Sequence, residues 1–296
     1  LKHQNKIILL LAAIILAYEP IRWLVGTWID PSYDSTGFLL FLATFFLFIW
    51  SVTSENKFPQ NNFNRLPFLL ILASTLIRLL GQLFAINMIG ALTLIIDVYA
   101  IAKLLQLDNR IRSISPFWLS VTFAFSLPLE RIVQRVMGYG LQNASADGAC
   151  AILKNTINDV YCEGVRILIN NQDVLVDLPC SGARAFLLLL FFYSVICTLI
   201  NTNKKYATIG LFITILSAYL INILRICVLA IFIGFPELAF NIDVMAQPTH
   251  DIIGLFLLSL GVLPIILWAK KSPVGKKEKS LPKKLIQDAW WLTPHK

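Results

Sequence analysis

Long apolar runs broken by short polar segments dominate the chain. Eight such runs, near 7–28, 38–53, 66–81, 83–104, 114–130, 182–200, 206–234 and 250–269, approach or exceed the roughly 20 residues that cross a bilayer. The third and fourth meet at Gly81-Gln82, where a tight turn is expected. One inter-run stretch, 131–181, is long and mixed. Its first part places Ile132, Val133, Val136, Met137 and Leu141 at helical spacing, which predicts an amphipathic helix suited to a membrane surface. Two β-favouring runs, 164–169 and 174–178, then flank the polar cluster 170–173 and predict a hairpin. That hairpin delivers the chain to Pro179-Cys180-Ser181-Gly182, at the mouth of the sixth run. The expected fold is an all-α transmembrane bundle of about eight helices, with a short extracytoplasmic β-hairpin before Cys180. Residues 1–271 are expected to form one membrane domain, and 272–296 a basic cytoplasmic tail.

Composition strengthens this picture. The chain is 57% hydrophobic and 14% charged, whereas soluble chains carry roughly a quarter charged residues. It starts at Leu1 rather than Met, so a preceding residue or segment is expected. No small-residue cleavage site follows the first run, which reads as a retained helix. The net charge of +8 reports topology rather than nucleic acid. With the N-terminus inside, Lys2, Lys6, Lys57, Lys103, Lys204, Lys205 and the tail lysines all fall on the cytoplasmic side. The expected location is therefore the cell membrane, with both termini cytoplasmic and 131–181 outside. The basic tail either meets anionic lipid or serves only as a topology anchor.

Few residues carry candidate chemistry. Cys180 immediately precedes a helix, whose unpaired N–H groups and positive dipole end favour a thiolate. Ser181 and Gly182 suit a helix start, and glycine permits close approach of a substrate. Arg225 lies inside the seventh run, where a charge is costly and points to function. Asn222 shares its helix face and either orients the guanidinium or makes a plain interhelical bond. His250 opens the eighth run and is the one histidine away from the chain ends. All three lie toward the outer end of consecutive runs. Nucleophile, cation and proton carrier together suit acyl transfer through a thioester. No CxxC or Cys/His metal spacing is present, and this chemistry calls for no metal or cofactor. Cys150 and Cys162 share the outer stretch, a spacing that permits a disulfide without requiring one. Cys197 and Cys227 read as packed thiols. Glu19, Arg22, Arg78 and Asp97 are further intramembrane charges that either pair or line a cavity.

At these residues the chain resembles the exosortase/archaeosortase family of membrane cysteine transpeptidases. The resemblance rests on Cys180-Ser181-Gly182 followed by Arg184, on Asn222-x-x-Arg225, and on His250 at the start of the last run. It implies Cys180, Arg225 and His250 as the catalytic residues. It implies as substrates exported proteins that end in a short motif, a transmembrane helix and a basic cluster. Arg184 would then hold an acidic residue of that motif, or else be an arginine reaching the interface. Pro179 stands where many members carry a small residue, which suggests a less common subfamily. Two other classes compete. A transporter would use the intramembrane charges as a polar pathway, and a scaffold would only bind partner helices.

Overall fold

The computed structural model describes residues 3–33, 35–57, 65–176, 182–200, 202–239 and 242–271. The helices are α1 (His3–Ile29), α2 (Gly37–Val52), α3 (Leu66–Leu83), α4 (Asn87–Leu104), α5 (Pro116–Ala124), α6 (Leu129–Thr156), α7 (Ala183–Ile200), α8 (Lys204–Gly234) and α9 (Thr249–Lys270). Strands β1 (Val160–Glu163), β2 (Arg166–Ile169) and β3 (Gln172–Leu175) form one antiparallel sheet in that order. Among the described residues, α3, α4, α7, α8 and α9 are long and apolar enough to cross a membrane, and α2 is a shorter apolar helix.

The two ends of the bundle are tied by contacts between alternate loops. At one end, Trp28 Nε1 donates to the Ser126 carbonyl at 2.8 Å. Beside it, Arg131 donates to the Ser32 carbonyl and stacks over the Tyr33 ring. At the other end, the Ser115 amide donates to the Thr198 carbonyl at 2.9 Å, and the Ile111 amide to the Glu55 carbonyl at 2.9 Å. There too the Tyr206 ring stacks on Trp268, and its hydroxyl donates to the Trp268 carbonyl at 3.0 Å.

Two expectations need correction, and a third is extended. The run 114–130 is not one span. Ser115 and Pro116 start α5, but the helix ends at Ala124 and Pro128 precedes α6. Proline lacks an N–H and disfavours helical geometry in the residue before it, so the apolar run breaks there. The turn between α3 and α4 lies at Phe84–Ile86, not at Gly81-Gln82, with Ala85 at φ 53°. Gly81 remains inside α3, where an added Cβ would meet Ile89 at 3.1 Å, so its smallness serves helix packing instead. The expected hairpin forms as β2–β3, and the sheet has a third strand besides. Asn170 and Asn171, both at positive φ, make the two-residue turn of β2–β3, and β1 adds a strand by way of Gly164.

Helix α6 forms as its spacing predicts, and Ile132, Val136 and Met137 are exposed along it. Its small-residue face, however, is taken by α8. A Cβ at Gly148 would stand 2.5 Å from Ile223, so glycine sets the distance of closest approach. Tyr219 of α8 donates its hydroxyl to the Ala144 carbonyl at 3.1 Å. The sheet covers this junction. Ile167, Ile169, Val174 and Val176 are buried against Ala146, Ala149 and Ile226. A disulfide joins Cys150 of α6 to Cys162 of β1, with Cα atoms 6.3 Å apart.

Of the other intramembrane charges, Arg78 is fully buried and pairs with Asp97 between α3 and α4. Its remaining donors reach Thr93 Oγ1 and the Ala13 carbonyl, each at 3.0 Å, while Ser74 donates to Asp97. Every charged group there has a partner, the condition under which a buried ion pair persists. Glu19 and Arg22 are elsewhere, on the outward face of α1.

Candidate active site

Three helices bring the predicted residues to one end of the bundle. From Lys204 to Arg225 along α8 is 21 residues, about 32 Å at 1.5 Å per residue. From Lys270 to His250 along α9 is 20 residues, about 30 Å. Both distances match the roughly 30 Å hydrocarbon core. Arg225 and His250 thus stand one bilayer thickness from the basic end of their helices. α8 is 31 residues long and continues past Arg225 to carry the sheet. Asn170 caps this extension by donating to the Gly234 carbonyl at 2.9 Å.

Arg225 and His250 meet directly, with Nη2 of the guanidinium 2.6 Å from Nε2 of the imidazole. A guanidinium only donates, so Nε2 accepts and the ring proton of neutral His250 sits on Nδ1. Nδ1 and Arg225 Nε are both buried, and neither makes a hydrogen bond of normal geometry among the described residues. The Val244 backbone lends the ring a looser polar contact. Gly254, one turn after His250, lies beside the guanidinium, and a Cβ placed there would be in ordinary contact with it at 3.7 Å. Two buried nitrogens beside the Arg225–His250 contact thus lack a full hydrogen bond among the described residues.

Gly182 brings the third helix to the same place. It has φ +86°, and a Cβ on it would stand 2.5 Å from Asn222 Cγ. The start of α7 thus rests on the Asn222 amide, one turn from Arg225 on the same face of α8. The Gly182 carbonyl accepts the first bond of α7, from the Phe186 amide at 2.8 Å. Asn222 Nδ2 in turn donates to Ser145 Oγ of α6 at 2.9 Å. Asn222 is therefore a junction between three helices, with its Nδ2 turned to Ser145.

Arg184 lies one turn along α7, where its Nε donates to Glu130 Oε1 at 3.0 Å. Glu130 also accepts from Gln134 at 3.2 Å. The guanidinium does hold a carboxylate, but one supplied by α6. Cys180 and Ser181 lie outside the described residues. The polypeptide is anchored on either side of them. Before them, the Val176 amide donates to the Val165 carbonyl at 3.0 Å, and Gln142 donates to the Val176 carbonyl. After them comes Gly182.

Sequence reasoning missed Ser145, Gln142, Glu130 and Gly254. Gly254 carries a readable signal, since it follows His250 by four residues and so shares its face. The other three are polar residues in a mixed helix, with nothing local to single them out.

The family model described as transmembrane exosortase (Exosortase_EpsH) matches residues 28–267. No curated protein and no solved structure matches the chain.

Proposed function

Because the chain belongs to the transmembrane exosortase family, we propose that it is a thiol-dependent peptidase or transpeptidase that processes the C-terminal sorting signal of exported proteins. The observation that carries this reading is the Arg225–His250 contact, with Gly182 packed one turn away on Asn222.

The proposed cycle starts with Arg225 capping Nε2 of His250. A substrate carbonyl entering the pocket draws the guanidinium toward its oxygen and uncovers Nε2. Nε2 takes the proton of the Cys180 thiol, and the sulfur attacks the scissile carbonyl. Arg225 then faces the oxyanion, a role worth about 10²–10³ in rate for a single donor. Collapse of the tetrahedral intermediate breaks the C–N bond and leaves a thioester on Cys180. The imidazolium returns its proton to the departing amine nitrogen. An incoming amine or water, deprotonated by His250, attacks the thioester and releases the thiol. Arg184 is proposed to exchange Glu130 for a carboxylate of the recognition motif. The lysine-rich helix ends are proposed to face the cytoplasm and the sheet the exterior.

The transporter reading loses its main support. Of the charges it would use, Arg78 and Asp97 satisfy each other, Glu19 and Arg22 lie on the outside of the bundle, and Arg225 contacts His250. The decisive experiment is processing of a cognate substrate in cells carrying Cys180→Ala or Cys180→Ser. Both variants are expected to abolish it. Normal processing by both would overturn the thioester mechanism.

A further inference from the structure

Glu19 and Arg22 stand near the middle of the first apolar run, 7–28. They are 62% and 70% exposed and 4.0 Å apart. The opposite face of α1 is fully used. There Pro20 fits against Gly90, Leu24 is buried with Ala91 and Leu94, and the Ala13 carbonyl accepts from Arg78. Two formal charges at mid-span, turned away from the protein that holds the helix, are costly in lipid and call for polar partners.

The exposed face is broad, taking in Ile14 and Ile21, and one stripe runs along it with a defined period. Leu11, Ile15, Tyr18, Arg22, Val25 and Ile29 are exposed at alternating spacings of four and three residues, the repeat of a left-handed two-helix seam. Glu19 flanks this seam, as does Gly26, where an added Cβ would meet nothing within 4 Å. Small flanking residues allow transmembrane helices to approach closely.

We infer that α1 is a homodimer seam, in which the Glu19–Arg22 pair of one copy engages that of a second copy. Copies inserted in the same direction pack their first helices in parallel about an axis along the membrane normal, and such an interface uses the same patch twice. A parallel pair then sets Glu19 and Arg22 at matching depths on both helices. Arginine side chains on helices point back toward the N-terminus, so each Arg22 guanidinium reaches the layer of both Glu19 carboxylates. The patch is self-complementary in charge, which a purely apolar partner helix does not match. This inference is independent of the proposed chemistry.

The test uses the full chain in cell membranes, co-expressed with two epitope tags and carrying a photo-crosslinking residue at Ile15. A control places that residue at Phe46, on the exposed face of α2. Adducts of twice the chain's mass that carry both tags are expected from Ile15 and not from Phe46. Glu19→Arg or Arg22→Glu alone places like charges across the seam and should cut the adduct about tenfold, the effect of a single lost pairing of ordinary strength. The swapped variant, with both substitutions, should restore it at equal expression. Equal adduct from both sites, adducts to a foreign protein in place of the second tag, or no recovery on swapping would each overturn the proposal.

Discussion

Gly182 shows how one residue governs the site. Its positive φ suits glycine, and its missing Cβ leaves the space that the Asn222 amide occupies. Gly182→Ala must both strain the backbone and displace Asn222 from Ser145, at a cost of about 1–3 kcal/mol. The expected result is a lowered thermal midpoint in detergent, together with a loss of processing larger than instability explains. Wild-type processing by Gly182→Ala would show that the helix start is not so constrained. The Arg225–His250 contact works at the same scale. It sets the ring tautomer, and among the described residues Nδ1–H and the arginine Nε have no partner of normal geometry. Buried donors of this kind are usually satisfied, and in the proposed reaction the substrate would supply the partner.

Among elements, two devices hold the bundle and are expected to be structural. The first is the Arg78–Asp97 pair between α3 and α4. Arg78→Met alone leaves a buried carboxylate without its cation and should destabilise the protein by about 3–5 kcal/mol. Arg78→Met combined with Asp97→Leu should recover most of that loss and keep processing intact. Failure of the double variant to recover would assign the pair a role beyond packing. The second device is the Cys150–Cys162 disulfide, which fastens α6 to the sheet across a separation of 12 residues. Replacing both with Ser should lower stability by about 2–3 kcal/mol, the chain-entropy effect of a loop this size. A reductant should reproduce that shift in the wild type and leave the double-Ser variant unchanged. Along α6, Gly148 performs with packing what the disulfide performs covalently, bringing the helix onto α8 at Ile223.

At the scale of the whole molecule, alternate loops share an end, and the candidate site lies opposite the lysine-rich one. Trp28 with Ser126, Arg131 with Tyr33 and Arg184 with Glu130 all gather at the site end. If that end faces the exterior, a thiol reagent that cannot cross membranes should label a cysteine placed at Asp30 in intact cells. It should label one placed at Lys204 only after permeabilisation. The reverse pattern would invert the proposed orientation. The length of α8 then acquires a purpose. It crosses the membrane in about 20 residues and uses the remainder as a post for the sheet, which anchors the chain at Val176 just before Cys180.

The sequence by itself determined most of the apolar helices, the amphipathic stretch before α7, a hairpin turning within 170–173 and the candidates Arg225 and His250. Each is written in local composition or spacing, because hydrophobic length, periodicity and turn chemistry act over a few residues. Tertiary structure alone decided that Arg225 caps His250, that Asn222 turns its Nδ2 to Ser145, and that Glu130 holds Arg184. It also settled the pairing of Arg78 with Asp97 and the placement of Glu19 and Arg22 on an open face. Such partnerships depend on which helix faces meet and at what depth. That depends in turn on small residues such as Gly148 and Gly182 letting neighbours close in, a property of pairs of elements that no single stretch of chain encodes.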